Sequence, residues 1–108
     1  MWIAYVLAVV AGLFAGNGVP HFVKGITGKR HRTPFRNPSS AVLNVVWGWC
    51  NLLIAFWLLI WASTFHPLFG LAGSLFLAGA LAVGIALALA WQNDPRSRGE
   101  EPATGQER

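Results

Sequence analysis

The sequence predicts an all-α membrane protein with three transmembrane helices, its N-terminus outside and its C-terminus inside. Three observations carry that expectation. Of the 108 residues, 55% are hydrophobic and only 11% charged, against roughly 25% charged in soluble domains. The apolar residues fall into three long runs free of charged residues, 2–19, 41–62 and 68–91. The charges are also segregated. All four acidic residues (Asp94, Glu100, Glu101, Glu107) follow Trp91, and Lys24, Lys29, Arg30, Arg32 and Arg36 stand unopposed between the first and second runs.

At about 1.5 Å per helical residue the runs reach about 27, 33 and 36 Å, enough for a hydrocarbon core of about 30 Å. The first is the shortest. It is not a cleaved leader by pattern, because no Lys or Arg precedes it and the positive cluster follows it. The positive-inside rule places the segment from Lys24 to Arg36 in the cytoplasm, with Met1 outside and the tail inside. Trp2 and Trp61 then fall near the outer interface and Trp91 near the inner one, where indole rings are favoured. Residues 1–92 form the transmembrane domain. Residues 93–108, rich in charge, Gly and Pro, are expected to be a flexible cytoplasmic tail.

Pro38-Ser39-Ser40 supplies a break and a hydroxyl N-cap for the second helix, and His66-Pro67 separates the second helix from the third. A turn that short predicts that these two helices pair as an antiparallel hairpin. Small residues recur every four positions along the first helix (Ala4, Ala8, Gly12, Gly16) and the third (Gly70, Ser74, Ala78, Ala82, Ala86, Ala90). In lipid such stripes permit close backbone approach, so they are expected to be packing faces. The second helix follows a seven-residue period instead. Ala41, Gly48, Ala55 and Ala62 form one row, with Asn44 and Asn51 three places on, a polar seam that either joins helices by hydrogen bonds or lines a pathway. Two small-residue faces and a polar seam exceed what one three-helix unit must satisfy, which points to a homo-oligomer or a subunit of a larger membrane complex.

The most distinctive stretch is NGVPHFVKGITG, residues 17–28. Pro20 removes a backbone donor, and Gly18, Gly25 and Gly28 tolerate unusual conformations, so the first helix is expected to break here into a cap. Asn17, His21 and Lys24 would then gather at the membrane surface, with Lys29, Arg30 and Arg32 in the adjoining basic patch. Together they are the candidate residues for binding anionic lipid or another anionic ligand. A metal centre is not indicated, since His21 and His66 belong to opposite faces of the bilayer. No cofactor is indicated either. No span contains Asp or Glu, which removes the usual carboxylate carriers of proton-coupled transport. The basic residues lie between apolar runs and do not cover a soluble surface, so nucleic acid is not an expected partner.

The stretch NGVPHFVKGITGKRHRTPF, followed by NVVWGWCN, resembles a group of small, uncharacterised bacterial integral membrane proteins with an NG-x-PHF-x-x-G-x-x-G segment after the first transmembrane helix. The likeness spans about residues 12–54 and implies a multi-pass protein of the bacterial inner membrane, with no activity to carry over. Three functional expectations follow from the residues. The first is a non-enzymatic membrane subunit that packs with itself or a partner and contacts anionic lipid through its basic cap. The second is a small oligomeric transporter or channel, and the third an enzyme that handles a lipid or quinone around His21 and Lys24.

Overall fold

A computed structural model describes residues 1–92. It contains three helices long and apolar enough to cross a membrane, α1 (Trp2–Ile26), α2 (Ala41–Ser63) and α3 (Leu71–Trp91). Between α1 and α2 lies a short antiparallel hairpin of β1 (His31–Thr33) and β2 (Arg36–Ser39). The expected tail, 93–108, lies outside the described residues.

The expected break at Pro20 does not occur, and α1 runs through it to Ile26 as the longest of the three helices, 25 residues. The physical reason is the solvent. Proline removes only the bond to Gly16 O, whereas unwinding the segment in lipid would strand several backbone groups at a cost of several kcal/mol each. The turns around Pro20 are also held from the side, because Gly18, His21 and Gly25 are all buried. The cap is made by the β-hairpin.

α1 ends at a glycine stop. Gly28 has φ +76°, its amide bonds Gly25 O at 3.0 Å, and the Lys29 amide bonds Lys24 O at 2.9 Å. These are the paired bonds of a Schellman cap, which needs the left-handed conformation glycine adopts readily. Gly28→Ala is therefore expected to cost about 1–2 kcal/mol, while Gly84→Ala, which meets no atom within 4 Å, is expected to be neutral; thermal unfolding in detergent compares them. Ser40 caps α2, its side chain accepting from the Leu43 amide at 3.1 Å.

α1 is the central helix. α2 packs along it antiparallel, with Gly48 against Gly18 and Phe22 and with Gly25 against Ala41 and Val45. α3 packs along it in parallel, with Gly12 against Phe76 and Ala80, Gly16 against Ala80 and Val83, and Gly79 against Val9. The extensive helix contacts are α1 with α2 and α1 with α3. The antiparallel pair expected from the short turn therefore follows the path of the chain without forming a packed interface, because both arms spend their contact surface on α1.

Ala4, Ala8 and Gly12 of the α1 stripe are buried. On α3 the buried residues are Ala72 and Gly79, and Ser74, Ala78, Ala82 and Ala86 are exposed. The α3 stripe thus faces away from α1, and Ser74 is not a packing residue within the chain. Nor is Gly70, which has φ +65° just before α3 and no atom within 4 Å of where a Cβ would stand. Its role is conformational. Large apolar side chains such as Trp49, Phe56, Trp57, Leu77, Leu81 and Ile85 are exposed, as expected where the surroundings are hydrocarbon.

Candidate functional site

The polar residues collect at one end of the bundle, where the C-terminal part of α1, the start of α2 and the end of α3 meet beneath the hairpin. Asn44 is the hub and is fully buried. Its Nδ2 donates to His31 O at 3.0 Å, Ser39 O at 3.2 Å and Ser40 O at 2.9 Å. Three carbonyls around the nitrogen fix which way the amide points. Its Oδ1 then faces His21 Nδ1 at 2.9 Å, and because an amide oxygen can only accept, His21 Nδ1 carries the proton. In the neutral ring Nε2 is left as an acceptor.

Two turns further along α2 the same logic recurs. Asn51 Nδ2 donates to Trp47 O at 2.8 Å, and Asn51 Oδ1 accepts from Asn17 Nδ2 at 3.2 Å. Each α2 asparagine is thus anchored on backbone and holds a residue of α1. Asn17 and His21, four apart on one helical face, donate the bonds that the Asn51 and Asn44 oxygens accept.

The hairpin covers this end by an alternation of sides. Along β1, His31 and Thr33 are buried and Arg32 is exposed. Hydroxyl protons can be assigned by elimination: Ser39 Oγ donates to Arg36 O at 3.0 Å, so Thr33 Oγ1 must donate to Ser39 Oγ, and Thr33 Oγ1 also accepts from the Phe35 amide at 3.2 Å. The Thr33 hydroxyl is therefore engaged in holding the turn. Aromatic rings complete the walls. His31 lies with its ring centroid 4.3 Å from Trp91 and 5.1 Å from His21, and Trp91 is 5.5 Å from His21. Phe35 stands edge-on to Trp47 at 5.5 Å.

These elements enclose an open cavity of about 480 Å³ lined by Asn17, His21, Arg32, Thr33, Trp47 and Trp91, among others. A second cavity, about 340 Å³, lies on the other side of Trp91 between α1 and α3, with Pro20, Lys24, His31 and Leu87 on its walls. The first is polar on one side, and the second is apolar apart from its rim. The Trp47 indole N–H, on the wall of the first, is buried with no hydrogen-bond partner among the described residues.

Of the residues singled out from sequence, Asn17, His21 and Arg32 meet in the first cavity and Lys24 in the second, whereas Lys29 and Arg30 are exposed on the connection and line neither. Asn44 and Asn51 stand behind the first cavity. Gly12, Gly16 and Gly48 are helix contacts. His66 is at the far end, its ring 5.6 Å from Tyr5. His31, Thr33, Trp47 and Trp91 were not anticipated. The stretch containing the first two looked like a run of positive charge, and the signal within it is the period of two, His31 and Thr33 on one side of Arg32.

No group of three or more His, Cys, Asp or Glu able to hold a metal ion occurs among the described residues. No family model matches the chain, and neither the curated proteins nor the solved structures compared with it contain a match.

Proposed function

We propose that this is a non-enzymatic, multi-pass membrane protein of the bacterial inner membrane that holds an anionic lipid at the hairpin-covered end of its bundle. The observation that carries the reading is the first cavity, in which the Arg32 cation shares one pocket with the polar atoms of Asn17 and His21 and the rings of Trp47 and Trp91. Residues 1–92 contain no Asp or Glu, so no carboxylate from the bundle itself competes for Arg32. A site open to the membrane surface, cationic at its rim and aromatic at its walls, suits a lipid headgroup.

The orientation follows from charge. Lys24, Lys29, Arg30, Arg32 and Arg36 all lie at this end, which the positive-inside rule assigns to the cytoplasm, with Met1 outside. The bacterial location rests on the resemblance of residues 12–54. Self-association, or docking on another membrane subunit, is supported by the uncovered small-residue row Ser74, Ala78, Ala82 and Ala86, which would let a second helix approach closely. A transport pathway is supported less. Asn44 and Asn51, which would have to line it, direct their amides to partners within the chain.

Gentle detergent extraction followed by native mass spectrometry tests the reading and reports oligomeric state at the same time. Retention of phosphatidylglycerol over phosphatidylcholine is expected, with Arg32→Gln lowering it on the order of fivefold, as for loss of about 1 kcal/mol from one basic side chain near an anionic surface. Equal retention of the two lipids would sink the proposal.

A further inference from the structure

We infer that the first cavity selects a polyol phosphate, an anionic phosphodiester whose headgroup carries neighbouring hydroxyls. This rests on the lipid-binding reading above and specifies its ligand. The inference comes from the hydrogen-bonding roles left open on the cavity wall, where the Trp47 indole N–H, unpartnered among the described residues, can donate to a phosphate oxygen. His21 lines the cavity and its Nδ1–H is held by Asn44, so the atom it offers is Nε2, an acceptor in the neutral ring. Asn17 lines the same cavity and its Nδ2 is held by Asn51, so its carbonyl oxygen Oδ1 is uncommitted. The Thr33 hydroxyl is already engaged with Ser39 and the Phe35 amide.

The cavity therefore presents two acceptors one helical turn apart, about 5–6 Å between Cβ atoms, together with one permanent cation. A complementary ligand brings two hydrogen-bond donors and one negative charge. Adjacent hydroxyls on a short carbon chain supply the donors at that reach, and the phosphate supplies the charge. An ammonium headgroup would set a second cation beside Arg32. A phosphodiester capped by a methyl group would leave both acceptors facing no donor, and an unmatched polar group in a confined site is penalised more than a matched one is rewarded. The apolar cavity across Trp91, between α1 and α3, adjoins this position and suits the hydrocarbon part of the same molecule.

The test uses the full chain in detergent micelles, with native mass spectrometry reading bound lipid in competition among phosphatidylglycerol, phosphatidylmethanol and phosphatidylcholine of identical acyl chains. Phosphatidylglycerol and phosphatidylmethanol carry the same charge and differ in the hydroxyls. The expected result is about tenfold preference for phosphatidylglycerol, the size given by two ordinary hydrogen bonds, reduced to about threefold by His21→Phe, which removes one of them. Asn17→Ala, which leaves the Asn44 network intact, keeps the test open if His21→Phe does not fold, and should remove part of the preference. Arg32→Gln should weaken both anionic lipids alike. Equal binding of phosphatidylglycerol and phosphatidylmethanol by the native chain, both above phosphatidylcholine, overturns the polyol selection and leaves lipid binding standing. Failure of both to exceed phosphatidylcholine overturns the underlying reading. Added glycerol 3-phosphate separates the sources of the chemistry: displacement of phosphatidylglycerol identifies the soluble polyol phosphate as a ligand in its own right, and its failure to displace identifies the lipid.

Discussion

Asn44→Leu is expected to loosen the hairpin from the helices and destabilise the fold by about 3 kcal/mol or more. The side chain fits no apolar role, being fully buried and bonded to three carbonyls and to His21. Ser40 O keeps its bond from the Asn44 amide, whereas leucine removes the bonds to His31 O and Ser39 O and the acceptor of His21 Nδ1, and a buried polar group left without a partner costs about 1–3 kcal/mol. Asn51→Leu should be much milder, about 0.6 kcal/mol, the average for one interhelical bond in a membrane. Hydrogen exchange over residues 31–39, alongside thermal unfolding, distinguishes the two: faster exchange in the Asn44 variant alone is the expected pattern, and unchanged protection there would remove Asn44 as the anchor of the hairpin.

Gly48→Leu is expected to be comparably severe for a different reason. A Cβ at Gly48 would stand 2.5 Å from Phe22 N and 2.7 Å from Gly18 O, both backbone atoms of the central helix that cannot rotate away. α1 and α2 must separate, and overpacking of this kind costs about 1–3 kcal/mol, occasionally more. The separation falls between Asn44 and Asn51, so it stretches the bonds to both His21 and Asn17 and disrupts the first cavity. Gly84→Leu is the control, since nothing lies within 4 Å of that position. Loss of bound phosphatidylglycerol together with a lowered unfolding temperature in the Gly48 variant only is the predicted outcome. If both glycine variants behave like the native chain, α1 and α2 are not in contact at this point.

The helices were legible because hydrocarbon imposes a length and a composition that few other environments require, and the α2 boundary at Ser40 was legible because the cap chemistry is local. What was not legible depended on neighbours. Pro20 reads as a stop when only α1 is considered, and the helix continues because α2 flanks it and lipid penalises unwinding. The small-residue stripe on α3 is real as a pattern, yet a four-residue period names a face without saying what lies opposite it, and the α3 contact with α1 uses Phe76, Gly79, Ala80 and Val83 instead. Asn17 and His21 were identifiable as polar residues at the end of a span. Their partners were not, because His31 and Trp91 reach them only after the chain has folded back, and the alternation of His31, Arg32 and Thr33 was masked by surrounding charge.

The first cavity takes Asn17 and His21 from the earliest helix and Trp91 from the last helical residue of the bundle. The bonds from His21 to Asn44 and from Asn17 to Asn51 need only α1 and α2, whereas the wall at Trp91 is supplied by the last turn of α3. With α1 and α2 alone, the acceptors of Asn17 and His21 would be aligned but open to one side. On the proposed reading, retention of lipid is therefore expected to require α3, and a chain ending before Trp91 should lose it.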